Sequence, residues 1–223
     1  MDRSKKSAII LGATGLTGKA LLNKLLEDQR YHTIKIFSRT PSQMQHPKSE
    51  EHIGDLLTLS KFTSSFNADE VYCCIGTTKS KTPDKEMYRA IDYGIPAAAA
   101  RLCKENSIPC LLVISALGAD AQSAIFYNKI KGEMEEEVLK QGVSHTYILQ
   151  PSIIQGQRDE RRLGEWIAKK LFSAIGIFLQ GPLRKYRSIQ AVSIADAMIW
   201  LANNKYAKNR IPSDEIANIA AYD

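Results

Sequence analysis

Cysteine is scarce in this chain, with four residues (Cys73, Cys74, Cys103 and Cys110) among 223. None are spaced as C-x-x-C, and no histidines fall at ligand spacing beside them, so neither a structural zinc nor a disulfide framework is expected. Long apolar runs are missing too. Nothing approaches the roughly 18 apolar residues a membrane helix needs. The basic start, Met1 to Ser7, leads into an apolar stretch, Ala8–Leu11, too short for a secretory signal. With the thiols read as buried and reduced, a cytoplasmic location is expected. There is no repeat, low-complexity tract or linker, which implies a single domain over 1–223.

Charge is not scarce, but it is uneven. Of the net +6, five charges arise between residues 158 and 187, where eight Lys and Arg face three acids. A nucleic-acid surface would spread over a face and interleave with aromatics, so no nucleic-acid partner is expected. Trp166, Lys169, Lys170, Phe172 and the Arg184-Lys185-Tyr186-Arg187 cluster would suit peripheral contact with an anionic membrane. The same pattern suits a lobe helix over Leu163–Leu179 with a solvated charged face, which is the commoner use of such helices.

Short apolar runs alternate with longer helical patterns. Ala8–Leu11, Ile34–Phe37, Val71–Ile75, Cys110–Ser115 and Thr146–Leu149 read as strands, and about 16–28, 84–104 and 123–141 as helices. Ile9-Ile10-Leu11 and Leu111-Leu112-Val113-Ile114 are apolar throughout, as strands covered on both faces should be. The alternation predicts an α/β fold, a doubly wound parallel sheet. Beyond it, a helix over Ile194–Ala202 and a closing strand over Ile216–Ala220 are expected, with about 155–223 forming a small C-terminal substrate lobe.

Gly12-Ala13-Thr14-Gly15-Leu16-Thr17-Gly18 joins the first strand to the first helix. Glycine there permits a tight turn, lets backbone approach a pyrophosphate, and lets helix pack on strand. The helix start adds free N–H groups and partial positive charge. This is the phosphate loop of an NAD(P)-binding Rossmann fold, in the G-x-x-G-x-x-G spacing that resembles extended and atypical short-chain dehydrogenases. An NAD site usually ends its second strand in a carboxylate for the ribose 2′-hydroxyl. Here the strand ends Ile36-Phe37-Ser38-Arg39-Thr40, and Arg39 and Ser38 suit a 2′-phosphate, which favours NADP(H).

Tyr127 and Lys131 lie four residues apart in a helical stretch, hence on one face. A second Tyr-x-x-x-Lys, Tyr31 and Lys35, runs into a strand and is discounted. Ser115 ends the strand preceding Tyr127, at the carboxyl edge where ligands bind. A carbonyl accepting hydride needs a proton donor. Tyr127 would donate it, Lys131 would lower the phenol's pKa and hold the cofactor ribose, and Ser115 would bond the substrate oxygen. The set resembles the Ser–Tyr–Lys group of short-chain dehydrogenases/reductases.

Further motifs follow in order: Ile53-Gly54-Asp55-Leu56, Cys74-Ile75-Gly76-Thr77-Thr78, Ser115-Ala116-Leu117-Gly118-Ala119-Asp120, Lys131-Gly132-Glu133, Gln150-Pro151-Ser152-Ile153-Ile154 and Gly164-Glu165-Trp166. Together, from about Ser7 to Trp200, they resemble the Tat-interacting-protein-like family of atypical short-chain dehydrogenases/reductases. The resemblance implies NADP(H) as cofactor. It implies Asp55 and Leu56 beside the adenine, Gly76 and Thr77 beneath the ribose and phosphates, and Pro151, Ser152, Ile153 and Ile154 bordering the nicotinamide. Two functions fit: an NADP(H)-dependent oxidoreductase acting on a carbonyl or alcohol of unknown structure, and an NADP(H)-binding regulator without turnover.

Overall fold

The computed structural model describes residues 5–42, 44–156 and 181–222. Seven strands form one sheet: β1 (Lys6–Leu11), β2 (Tyr31–Ser38), β3 (Ser49–Ile53), β4 (Glu70–Cys73), β5 (Cys110–Ile114), β6 (His145–Gln150) and, at the far edge, Arg210–Pro212. Their spatial order is β3-β2-β1-β4-β5-β6 and then the Arg210–Pro212 strand, and every neighbouring pair is parallel. The order reverses between β1 and β4, and a ligand crevice opens at such a switch point.

Parallel neighbours require crossovers, and the crossing helices cover both faces. Helix α1 (Leu16–Glu27) packs with α5 (Ala191–Asn203) on one face, burying Leu21, Leu22 and Leu25 against Ile194 and Met198. Helices α3 (Ile95–Glu105) and α4 (Phe126–Lys140) cover the other, with Ala99, Cys103, Met134 and Val138 against Ile9, Val71 and Leu111. Strands β1, β4 and β5 are buried on both sides, which explains their unbroken apolar sequence.

Three elements differ from the sequence reading. The helix expected over 84–104 is interrupted: α2 (Lys85–Arg89) passes into a π-turn, Ala90–Gly94, before α3 begins. β3 escapes notice because Ser49-Glu50-Glu51-His52 has no apolar alternation, as suits an edge strand. Ile216–Ala220 is not a strand. Ser213–Ile219 is helix α6, its buried Ser213, Ile216 and Ile219 set at helical spacing, and the closing strand lies just before it. The helix expected over Leu163–Leu179 lies outside the described residues.

The last described part rejoins the core. Only 181–192 approach the crevice, through a 3₁₀ turn (Gly181–Tyr186) and a two-stranded ladder of β7 (Ile154–Gln155) with β8 (Ile189–Gln190).

Candidate functional site

A cleft of about 1330 Å³ opens along the carboxyl ends of β1, β4, β5 and β6. Thr14, Gly15, Leu16, Thr17, Gly76, Thr77, Ser115, Tyr127, Lys131 and Pro151 to Ile154 all line it. The glycine loop, the tyrosine–lysine pair and the strand-end serine, spread over about half the chain, therefore converge on one space.

Each loop glycine has its own reason. Gly12 has φ +85, and a Cβ there would meet the Cys74 carbonyl oxygen at 2.9 Å. Gly15 bends back so that its N–H reaches the Gly12 oxygen at 3.0 Å, which makes the turn. At Gly18 a Cβ would lie 2.0 Å from that same oxygen, so only glycine lets α1 sit against the loop. No side chain caps α1, and its first turn carries no acid. Its N–H groups thus face the cleft without an internal anion. That cradle is where a pyrophosphate fits.

Ser38, Arg39, Asp55 and Leu56 are grouped apart, at the carboxyl ends of β2 and β3, and do not line the cleft. The Gly54 N–H bonds the Ser38 oxygen at 2.9 Å and holds the two ends together. The Ser38 hydroxyl donates to the Thr40 oxygen at 2.7 Å, so it shapes the turn that carries exposed Arg39. Glu51 accepts from the Ser42 N–H at 3.1 Å and ties down the chain beyond. Asp55 caps the following 3₁₀ segment through the Leu57 N–H at 3.0 Å. Leu56 points into the core while Leu57, not singled out from sequence, is exposed beside it.

Tyr127 sits in the first turn of α4, half-exposed to the cleft, with buried Lys131 one turn deeper. Gly132 allows this placement: a Cβ there would lie 2.1 Å from the Ala121 nitrogen, so α4 packs directly on the 120–121 loop. The deciding partner is Asp92, which no spacing in the sequence marks. The π-turn turns it inward, fully buried. Its Oδ1 lies 2.9 Å from Lys131 Nζ, and its Oδ2 accepts from the Thr77 N–H at 2.7 Å. One carboxylate thus joins the lysine to the Gly76-Thr77 backbone.

This pairing corrects the expected effect of Lys131 on the phenol. Burial raises the Tyr127 pKa above the ordinary tyrosine value; Lys131 pulls it down and Asp92 pushes it up. The net direction is upward. The ammonium does favour phenolate, but Asp92 neutralises it at close range. For Lys131 itself, burial disfavours the charge, yet Asp92 and Tyr127 outweigh that and raise its pKa.

Ser115 lies at the end of β5, with its N–H on the Leu149 oxygen at 2.7 Å. Its hydroxyl is bonded to buried Glu135, another residue the sequence reading does not single out. Burial pushes the Cys73 thiol up to about 11 and the Cys110 thiol to about 12, so these are thiols rather than reactive thiolates. Among the described residues, no cluster of His, Cys, Asp and Glu could hold a metal, and no helix is long and apolar enough to cross a membrane.

A family model described as NAD(P)H-binding matches residues 12–170, from the first loop glycine onward. The chain belongs to the NAD(P)H-binding family. It is 32% identical to "Protein FMP52, mitochondrial" of Candida albicans over 80% of this chain and 81% of that protein. It is 29% identical to "Protein HTATIP2" of Rattus norvegicus over 76% of this chain and 72% of that one. These relatives bear out the resemblance to the Tat-interacting-protein-like group. A UDP-N-acetylglucosamine 4-epimerase of Methanobrevibacter ruminantium shares the fold with a TM-score of 0.69 at 17% identity, covering 92% of this chain and 75% of that one. The Bordetella bronchiseptica enzyme WbmH, solved with NAD+, gives 0.67 at 13%, covering 92% and 74%. The coarse assignment is an NAD(P)-binding protein of Rossmann type. The cytoplasmic expectation is overturned, because fungal relatives in several species are named mitochondrial. Reduced thiols suit either compartment, and so they could not decide it.

Proposed function

We propose that the protein is an NADP(H)-dependent oxidoreductase that interconverts a carbonyl and an alcohol on a small-molecule substrate, with Tyr127, Lys131 and Ser115 as its catalytic set. The observation that carries this reading is the convergence of the glycine loop, Tyr127, Lys131 and Ser115 on one cleft.

When bound, the nicotinamide supplies or accepts hydride. The chain's own residues do the rest. Gly12, Thr14, Gly15, Leu16, Thr17 and Gly18 would hold the pyrophosphate at the start of α1. Gly76 and Thr77 would support the ribose, and Pro151, Ser152, Ile153 and Ile154 would border the nicotinamide. Tyr127, its phenol kept protonated at neutral pH by burial, donates a proton to the substrate oxygen as charge develops there. Lys131 would stabilise the phenolate left behind and would bond the ribose hydroxyls of the bound cofactor. Asp92 keeps the lysine charged and fixed, and its hold on the Thr77 N–H aligns the strand-end backbone with it. An intact set of this kind favours turnover over a purely sensing role, which would not need a positioned proton donor.

Arg39 is the residue proposed to choose the cofactor. The end of β2 offers no carboxylate to a free 2′-hydroxyl, whereas exposed Arg39 offers a planar fork of donors to a 2′-phosphate. Hydrogen bonds to charged groups contribute roughly 1.5–3 kcal/mol, or about 10- to 100-fold in affinity. The wild type is expected to bind NADPH more tightly than NADH by that factor. Arg39→Asp should abolish or invert the preference, since it repels the phosphate and can accept from a hydroxyl. Titration calorimetry of both proteins at one fixed salt concentration checks this, because charged contacts are screened. Equal affinities in the wild type, or an unchanged preference in Arg39→Asp, would show Arg39 to be a bystander.

A further inference from the structure

Among the described residues, the charged side chains that line the cleft are Lys19, Lys81, Asp92, Lys131 and Lys185. The one acid is already occupied, since Asp92 holds Lys131 at 2.9 Å and the Thr77 N–H at 2.7 Å. Lys19 stands on α1 beside the phosphate cradle, and Lys81 on the loop that follows Gly76-Thr77. Both belong to elements proposed above to carry the cofactor. Lys185 belongs to neither. Its segment, Gly181 to Gln190, holds Arg184, Lys185 and Arg187 and no acid. Two bonds fasten that segment to the proposed nicotinamide border: the Ser152 hydroxyl donates to the Arg187 oxygen, and the Ile189 N–H donates to the Ile153 oxygen at 3.0 Å. Lys185 is half-buried there, with Nζ over the Tyr186 ring at 5.3 Å from its centroid. Among the described residues it pairs with no carboxylate. Two residues on, Arg187 Nε is buried without a hydrogen-bond partner. This wall of the cleft therefore carries positive charge that the described residues do not offset.

We propose that Lys185 anchors an anionic group of the substrate, so that the carbonyl or alcohol compound taken by this cleft carries a carboxylate or a phosphate. That the compound is a carbonyl or an alcohol rests on the oxidoreductase reading above; the anion rests on the charge of the cleft alone. An ammonium is a point charge with three donors, and it accepts a carboxylate or a phosphate alike. A cleft lined by one sign of charge also concentrates ligands of the other sign. With its anion on the Lys185 wall, the same molecule offers its reacting end to Tyr127, which lines the same cleft. From sequence, the Arg184-Lys185-Tyr186-Arg187 cluster reads as a solvated face or a membrane contact. The fold brings Lys185 and Tyr186 of that cluster into the cleft instead.

The test is titration calorimetry on the whole protein saturated with NADP+, which has no hydride to give to a carbonyl. Three aldehydes serve as probes: 4-formylbenzoate, 4-formylphenyl phosphate and the neutral methyl 4-formylbenzoate. In the wild type at least one anion should bind about tenfold or more tightly than the ester, the lower end of what a hydrogen bond to a charged group contributes. Which anion gains more tells carboxylate from phosphate. The preference should shrink as salt is added. Lys185→Gln should lose it while its affinity for NADP+ stays as in the wild type. Arg184→Gln, which removes an exposed cation that does not line the cleft, should keep it. The proposal is overturned if neither anion outbinds the ester in the wild type, or if Lys185→Gln keeps the preference. It is equally overturned if Arg184→Gln loses as much, which would mark a general surface field, or if Lys185→Gln weakens NADP+ by the same factor, which would assign the lysine to the cofactor. None of these readings needs turnover, so a protein that selects anions through Lys185 yet transfers no hydride would fault the oxidoreductase reading alone.

Discussion

Tyr127→Phe is expected to lower carbonyl reduction by about 10²- to 10⁴-fold, the usual contribution of a positioned general acid, while affinity for NADPH stays as in the wild type. The change removes one hydroxyl from a ring half-exposed in the cleft and leaves Lys131, Asp92 and the glycine loop in place. The pH profile should carry a matching signature. Because the Tyr127 pKa lies above the ordinary tyrosine value, the phenol is protonated throughout the neutral range. Reduction in the wild type should be level there and fall only at alkaline pH. Alcohol oxidation, which needs the phenolate, should rise over the same alkaline range. A variant that keeps the wild-type rate on an accepted substrate removes Tyr127 from the mechanism.

Asp92→Asn should cost the fold about 3–5 kcal/mol, the penalty for leaving one member of a buried ion pair uncompensated. Lys131 and Asp92 have side chains only 4% and 1% exposed, so solvent cannot take over the lost partner. The pH dependence has a definite sign. Lys131 in the wild type has a pKa raised above the ordinary lysine value of 10.5. Its pairing therefore stabilises the fold fully below that value and is lost as pH climbs through the raised one. In the variant an unpaired lysine folds most easily when neutral. The deficit should be largest near neutrality and narrow as pH approaches the lysine's own value. Urea midpoints across pH measure this, and the double variant Asp92→Asn/Lys131→Met should recover much of the loss by removing the stranded charge. A single variant with the wild-type midpoint would mean that the pair contributes nothing.

Much of this was legible in the sequence, for identifiable reasons. The roles of Gly12, Gly15 and Gly18 follow from a glycine-rich turn between an apolar strand and a helix, and the close approaches at Gly12 and Gly18 match those roles. Tyr127 and Lys131 could be paired because four residues is one helical turn. Asp92 could not be found that way. It lies in a stretch that reads as uninterrupted helix, and only the π-turn rotates it onto Lys131. Glu135 was within reach, since Tyr127, Lys131 and Glu135 continue one i, i+4 stripe, but its partners Ser115, Gln150 and Arg210 come from three separate strand ends. The edge strands β3 and Arg210–Pro212 were hard to read because one is polar and the other only three residues long. The apolar stretch Ile216–Ala220 reads as a strand, although Ile216 and Ile219, three apart, have helical spacing.

The most direct test of the proposed activity is a single-turnover reaction with the protein in excess over NADPH carrying deuterium at the nicotinamide C4. A panel of aldehydes and ketones would be offered, and the products analysed by mass spectrometry. Deuterium should appear on the carbonyl carbon of at least one product with the wild type, and be lost with Tyr127→Phe under the same conditions. Tight binding of NADPH with no transfer to any member of the panel, alike in both proteins, would contradict the account and identify a protein that binds the nucleotide without turning it over.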